Sequence, residues 1–268
     1  IGSDTVDSIP QTWNALNLNH ENYQGFRPSE GNDFVDGKGG YDEINYGDSP
    51  NGMTIDISQS TIIDGWGNTD NIFNIEGVEG TNKDDTIIGN SGNNSLDGRR
   101  GNDSIDGGDG FDYAEYNGTG RTNLNINLES GIATFAKTSD TSQTYTHNIS
   151  NIEGVIGTNN DDIIRGNDDF NILEGAAGND EIYGGGGNDV LVTGHGDDKL
   201  YGEEGNDILI SVGSGTQEYD GGEGVDTLIY NTSYTTSLNP DYINRVEIDL
   251  TSGQAGQEGN PNLTDSII

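Results

Sequence analysis

"GAAGNDEIYGGGGNDVLVTGHGDDKLYGEEGNDILI", residues 175–210, decides how the chain is read. It divides into four consecutive nonapeptides, GAAGNDEIY, GGGGNDVLV, TGHGDDKLY and GEEGNDILI. Position 4 is always Gly, position 6 always Asp, and position 8 always Ile or Leu. Glycines at positions 1, 2 and 4 permit a turn with positive φ and a close approach of backbones. Positions 7–9 suit a short strand whose middle side chain faces one way and whose flanking side chains face the other. Two nonapeptides then make one coil of two turns and two strands, so equivalent residues stack every 18 positions.

The period reaches further in both directions. Upstream stand GTNNDDIIR and GNDDFNILE from Gly157, and downstream GGEGVDTLI at 221–229, after one inserted residue near Ser211 or Asp220. Gln217, or Thr216 in the other register, interrupts the Asp pattern there. An earlier array, GTNKDDTII, GNSGNNSLD, GRRGNDSID and GGDGFDYAE, runs over 80–115, and a short pair, PSEGNDFVD and GKGGYDEIN, over 28–45. The chain therefore divides into a lead-in (1–27), the short pair (28–45), an insert (46–79), an array (80–115), a second insert (116–156), the main array (157–229) and a third, truncated insert (230–268). Within the lead-in, SIPQTWNALN (8–17) reads as a short helix with Ser8 as its cap and Pro10 in its first turn. The abrupt start at Ile1 and stop at Ile268 read as cuts within a longer polypeptide.

Composition asks how such a chain folds at all. Only 29% of its residues are hydrophobic, 43 are Gly, and the formal net charge is -37. That balance lies close to the border with disorder, and a core of two aliphatic side chains per coil is thin. The acidity argues against nucleic acid and against insertion into or adsorption on an anionic membrane, and makes cations the natural partners. No Cys is present, so disulfides and thiolate metal sites are excluded. No stretch has the length of a transmembrane helix, and no signal peptide opens the sequence.

Stacked turns place carboxylates one strand spacing apart, roughly 4.8 Å, which is destabilising unless a cation lies between them. Asp side chains with turn carbonyls offer an all-oxygen cage, which suits Ca²⁺ better than the small octahedral shell of Mg²⁺. Zinc is a poor match for a chain with no Cys and three scattered histidines. One isolated GxGND would merely serve a tight turn; a dozen or so in register ask for a common ion.

The pattern resembles the glycine-rich nonapeptide of the RTX family, the hemolysin-type calcium-binding repeats. NIEGVEGTNKDDTIIGN (74–90) and NIEGVIGTNNDDIIRGN (151–167) look like the lead-ins of such arrays. The resemblance implies an all-β fold: a parallel β-roll, a right-handed β-helix-like solenoid with two nonapeptides per coil and antiparallel strand segments inserted between arrays. It also implies that position-6 residues of stacked turns share Ca²⁺ with backbone carbonyls. Carried over by position, the ligands are Asp85, Asp103, Asp112, Asp162, Asp180, Asp189, Asp198, Asp207 and Asp226, with Asp33 and Asp42 in the short pair. The best pairs are Asp162 with Asp180, Asp180 with Asp198, and Asp189 with Asp207, followed by Asp85 with Asp103. Asn94 and Asn171 offer a neutral oxygen and imply weaker sites. Asp33 and Asp42 lack an 18-residue partner unless the chain after Tyr46 loops out and the roll resumes at Gly80, and Asp207 with Asp226 depends on where the inserted residue bulges.

The inserts begin with Tyr46, Tyr116 and Tyr230 and contain alternating stretches, MTIDIS (53–58), LNINLES (124–130) and VEIDLTS (246–252), that read as half-buried strands. LNINLESGIATFA (124–136) reads as a hairpin through Glu129, Ser130 and Gly131. Tyr183 and Tyr201 form one stripe at position 9, which Tyr219 continues if Asp220 is the inserted residue; Val192 and Ile210 form another. Either a covering layer packs on these stripes or they bind a glycan, a surface partner or a second copy. His20, His147 and His195 are far apart, and no catalytic constellation or phosphate loop stands out, so the chain reads as no enzyme. The resemblance implies secretion through a type I apparatus and an extracellular or bacterial cell-surface setting. Two roles fit: a non-catalytic structural or adhesion module, or an accessory module of a secreted enzyme or toxin.

Overall fold

The computed structural model describes residues 24–230, together with the backbone pairing of 246–249 and 266–267. The helix expected at 8–17 lies outside the described residues. Every regular element described is a strand, most of them three to six residues long. Two compact units divide the chain: Ile1–Glu115 with Tyr145–Ile152, and Tyr116–Thr144 with Glu153–Ile268.

The second unit is a parallel β-roll of two sheets. One stacks Gly154–Ile156, Ile172–Ala177, Val190–His195, Ile208–Ser211 and Thr227–Tyr230 in parallel and adds Val246–Asp249 antiparallel. The other stacks Arg121–Asn127, Ile163–Arg165, Glu181–Gly185, Lys199–Glu203, Glu218–Asp220 and Ser266–Ile267 in parallel, with Ile132–Lys137 antiparallel on its first strand. Successive partners are 18 residues apart, as in Ile172, Val190 and Ile208, or Ile163, Glu181 and Lys199. The inward position 8 places Leu173, Leu191, Leu209 and Leu228 on one sheet and Ile164, Ile182 and Leu200 on the other, all essentially without solvent exposure. Parallel pairing of identical positions needs turns that return the chain to the same height, and glycine makes these possible. At Gly205 the turn has φ 136°.

The first unit repeats the plan. Gln24–Phe26, Asp42–Asn45, Gly77–Glu79, Ser95–Asp97 and Tyr113–Glu115 form one parallel sheet. Thr54–Asp56, Thr86–Ile88, Ser104–Asp106 and the end of Asp140–Ser150 form a second. A third pairs Phe34–Asp36 with Thr69–Phe73 in parallel and adds Thr61–Ile63 antiparallel.

Three expectations are refined by this register. The inserts do more than add antiparallel strands: Thr54–Asp56 and Arg121–Asn127 pair in parallel with array strands and act as coils themselves. The hairpin is present, with a bulge between Thr122 and Asn125. Val192 is still level with Ile210, 18 residues on, whereas Val212 pairs with Thr193, so Ser211 is the inserted residue. Tyr219 consequently aligns with Leu200 and is buried in the core, and Asp220 rather than Tyr219 follows Tyr201 in the stripe.

The stripes are less open than the sequence suggests. Val192 is buried and Ile210 half-buried. The rings of Tyr183 and Tyr201 stack at 4.8 Å and 16°, and the Arg165 guanidinium lies 4.7 Å over the Tyr183 ring. Arg165, Tyr183 and Tyr201 are consecutive in register, so both faces of Tyr183 are covered within its own sheet. Stacking of a sugar on that ring is thereby excluded, while the outer face of Tyr201 looks towards Asp220.

Candidate metal centre

The fold converts the Asn-Asp pair at positions 5 and 6 into two ladders that run in opposite senses. Each position-6 carboxylate accepts the N–H of the position-6 residue one coil earlier. Asp162 N–H donates to Asp180 Oδ1 at 2.9 Å, Asp180 to Asp198 at 3.0 Å, Asp189 to Asp207 at 2.7 Å and Asp207 to Asp226 at 2.9 Å. Position 5 works the other way: Asn179 N–H donates to Asp161 Oδ1, Asp197 to Asn179, and Asn206 to Asn188, each at 2.8 Å. Neutral or charged Asx serves at position 5, because only an acceptor oxygen is used. Position 5 is released from that need in the last coil of each array, where Phe111 and Val225 donate their N–H to Asn93 and Asn206 and carry no side-chain acceptor for a further coil.

All the position-6 side chains of the two long arrays are buried. Burial of a carboxylate is costly unless it is paired, so the second oxygen of each decides the chemistry. It falls into two states, set by the residue at position 2. Where φ at position 2 is not positive, its N–H turns inward and caps the oxygen: Thr81 on Asp85 at 2.7 Å, Thr158 on Asp162 at 2.5 Å and Gly194 on Asp198 at 3.2 Å. Ser29 does the same for Asp33 at 3.2 Å. Where position 2 is left-handed, as at Lys38 (φ 70°), Ala176 (φ 72°), Gly185 (φ 102°) and Glu203 (φ 72°), the N–H points elsewhere. Asp42, Asp180, Asp189 and Asp207 then bury Oδ2 with no hydrogen-bond donor on it. Three of these four position-2 residues are not glycine, and a left-handed L-residue costs about 1–2 kcal/mol. Strain of that kind is held where a site needs it.

Burial raises the carboxyl in both states. Burial first, and then the charges of Asp162 and Asp198, push the Asp180 carboxyl up to about 8. Burial, with the Asp207 charge added, raises Asp189 to about 7. Burial raises Asp207 and Asp198 as well, and takes Asp42, Asp85 and Asp162 to about 6. At neutral pH the highest of these, Asp180 and Asp189, are relieved by a proton or by a metal cation. The orphaned oxygens of Asp180, Asp189 and Asp207 lie against the position-1 glycines of their own repeats. A Cβ placed on Gly184 would stand 2.6 Å both from Asp189 Oδ2 and from the Gly202 carbonyl oxygen. A bare carboxylate oxygen beside a main-chain carbonyl, on a dry floor without side chains, fits a hard cation with oxygen ligands. Among the described residues no three His, Asp or Glu side chains converge on one point, so any ion here would be held by paired carboxylates with carbonyls.

The remaining expected ligands sort by the same rules. Asp85 and Asp103 lie on one ladder, with Asp85 N–H on Asp103 Oδ1 at 2.8 Å, and Asn94 N–H reaches Asp112 Oδ1 at 2.7 Å. Asn94 and Asn171 turn their oxygens to the N–H of Asn90 and Asn167, at 2.7 and 2.8 Å. Their amide nitrogens therefore face the ladder and donate to the carbonyls of Glu76 and Glu153, both at 3.3 Å. Gln217 reaches across the inserted residue: its Oε1 accepts Asp198 N–H at 2.8 Å and its Nε2 donates to the Gly196 carbonyl at 2.9 Å. Asp33 and Asp42 donate onward to partners that the 18-residue rule does not supply, Asp70 at 3.0 Å and Glu76 at 2.9 Å, but Asp42 does have an 18-residue neighbour below it, since its Oδ1 accepts the N–H of Gln24 at 2.8 Å. Tyr46 closes the Asp33–Asp70 rung by donating its hydroxyl to Asp70 Oδ2 at 3.1 Å.

The family model of the RTX calcium-binding nonapeptide repeat matches the chain four times, over residues 29–45, 79–114, 156–191 and 183–211. No curated protein matches the chain.

Proposed function

The chain carries RTX calcium-binding repeats folded as a parallel β-roll, and from that premise we propose that it is a non-catalytic module that folds when calcium fills its open carboxylates. The observation that carries this reading is the row of buried, donor-free Oδ2 atoms on Asp180, Asp189 and Asp207. Calcium bound there supplies the positive charge that the stacked carboxylates lack. The chain's own residues do the rest. Position 2 aims its N–H away, position 1 keeps the floor clear of side chains, and position 5 holds the coil spacing through its own ladder.

The setting proposed for such a module is the calcium-rich outside of a cell, as a structural or adhesive part of a surface or secreted protein. At low calcium the net charge of -37 and the uncompensated ladder oppose compaction, and at millimolar calcium binding and folding become one event. Among the described residues no helix is long and apolar enough to cross a membrane. A calcium titration followed by calorimetry tests the ligand assignment. Asp180→Asn and Asp189→Asn each keep the acceptor for the preceding N–H and remove the charge. Each is expected to raise the half-saturating calcium concentration by at least about tenfold at its rung and to lower the ion count by one. Unchanged count and affinity in both variants would remove these residues from the site.

A further inference from the structure

Asp103 stands apart from the other carboxylates with a left-handed position-2 residue. Arg99 at that position has φ 60°, as an open rung requires. Its Oδ2, however, faces His147 Nε2 at 2.9 Å, and both side chains are fully buried. The two atoms touch at ion-pair distance without the alignment of a directed hydrogen bond.

His147 reaches this place through the insert rather than through a nonapeptide. Asp140–Ser150 lies in parallel on Ser104–Asp106 with Ser104 opposite Asn148, so residue 147 occupies the rung above Asp103. The coil is otherwise regular: Thr146 N–H donates to Asn102 Oδ1 at 3.1 Å, which is the position-5 ladder, and Asn148 N–H donates to the Asp103 carbonyl at 2.8 Å. The floor of the rung shows what the imidazole replaces. A Cβ on Gly202 would meet Asp207 Oδ2 and the Gly221 carbonyl oxygen, each at 2.3 Å; a Cβ on Gly98 would meet Asp103 Oδ2 at 2.5 Å and His147 Cε1 at 3.0 Å. The imidazole thus lies over the same glycine floor, beside the carboxylate, where the other rung presents only oxygen atoms. Calcium prefers oxygen ligands at about 2.3–2.6 Å, and a direct contact between Nε2 and Oδ2 leaves no place for an ion on the line between them.

We propose that His147 is an internal plug: its imidazole takes the cation's place at Asp103 and ends this ladder without an ion. The proposal rests on the reading that open carboxylates hold calcium. It makes His147 a residue that limits how many ions the roll accepts, and it makes Asn94, Asn171 and Gln217 milder versions of the same device, each presenting an amide N–H to a carbonyl on its rung.

Calcium per chain, measured on the full chain by equilibrium dialysis with atomic emission at saturating calcium, separates the cases. His147→Ala vacates the volume and His147→Asp adds a carboxylate to it. Either is expected to bind one ion more than the unaltered chain, whereas His147→Gln, which keeps an N–H donor, binds the same number. A count equal to or below that of the unaltered chain in both H147A and H147D overturns the plug, as does failure of both to fold in calcium, because the ion must be able to replace the imidazole. An unaltered chain that binds no calcium would instead overturn the functional reading itself.

Discussion

Gly205→Ala is expected to abolish calcium-induced folding of the main array, so that at millimolar calcium the chain gains only the part of the far-UV β signal that the first unit contributes. Residue 205 sits at position 4 with φ 136°, and a Cβ there would lie 1.5 Å from the carbonyl oxygen of Gly187, one coil below. That partner is backbone, so no rotamer change relieves the overlap. The stack repeats the problem one coil above, where a Cβ on Gly224 would lie 1.6 Å from the Gly205 carbonyl oxygen. Opening the turn to make room would lengthen the ladder bonds of Asp189 to Asp207 and of Asn188 to Asn206 together. The combined cost exceeds about 4–5 kcal/mol, beyond what most single substitutions do and comparable with the whole stability of a small domain. Gly186→Ala is the matched control. Gly186 has no positive φ, and its nearest neighbour is Asp168 Cα at 3.3 Å, so a shift of a few tenths of an ångström absorbs the methyl. The second variant is expected to fold in calcium with a melting temperature close to that of the unaltered chain.

Acid is expected to do part of calcium's work. In chelator the chain is expected to be unfolded near neutral pH and to gain β-structure as the pH is lowered towards about 4. The sign follows from burial. Asp180 and Asp189 are raised to about 8 and about 7, and Asp42, Asp85 and Asp162 to about 6, all above the ordinary value of 3.8. A carboxyl raised on folding binds its proton more tightly in the folded chain. Its contribution is therefore complete below the unfolded value and is lost as the pH climbs from there to the folded value. Protonation also reduces the self-repulsion of a chain with net charge -37, which acts in the same direction. Salt separates the two effects: at neutral pH it screens distant charges but leaves the dry rungs untouched, so salt alone is not expected to fold the chelated chain. With calcium present, protons compete for the same oxygens, and the half-saturating calcium concentration is expected to rise as the pH falls below about 7. A chelated chain that is folded at neutral pH and unfolds on acidification would contradict the assignment of these groups.

Much of this was legible in the nonapeptides. Period, position-8 core and position-6 ladder all follow from GGGGNDVLV and its neighbours, because an 18-residue coil leaves a buried aliphatic and a buried acid little choice of place. Glu76 and Glu153 were within reach of the same rule, since each stands 18 residues before an Asn at position 6, Asn94 and Asn171. Position 2 also carries a readable signal: Thr81, Thr158 and Ser29 cap their carboxylates, whereas Lys38, Ala176, Gly185 and Glu203 leave theirs open. Gly194 is the exception that composition alone does not flag. What periodicity could not supply is the return of the chain after an insert. Asp70 joins Asp33 across 37 residues, and the coil holding His147 joins that of Asp103 across 44, distances set by how strands pair rather than by any repeat. The same holds for Tyr219, whose place in the core depends on Ser211 being the extra residue.

The run Gly184–Gly187 carries the proposal that so glycine-rich a chain folds around an ion. Gly185 (φ 102°) and Gly187 (φ 106°) take conformations that other residues adopt only under strain, and Gly184 clears the floor beside Asp189. These choices remove side chains that would otherwise contribute apolar area, and they leave a buried acid without a donor. On the proposed function a cation is the missing stabilising term. Far-UV circular dichroism of the chain, recorded in chelator at neutral pH and then during a calcium titration run in parallel with calorimetry, measures that term directly. The expected result is a disordered spectrum that turns cooperatively to β-structure as the ions bind, with both signals sharing one midpoint. A full β spectrum in chelator that calcium leaves unchanged would contradict the account.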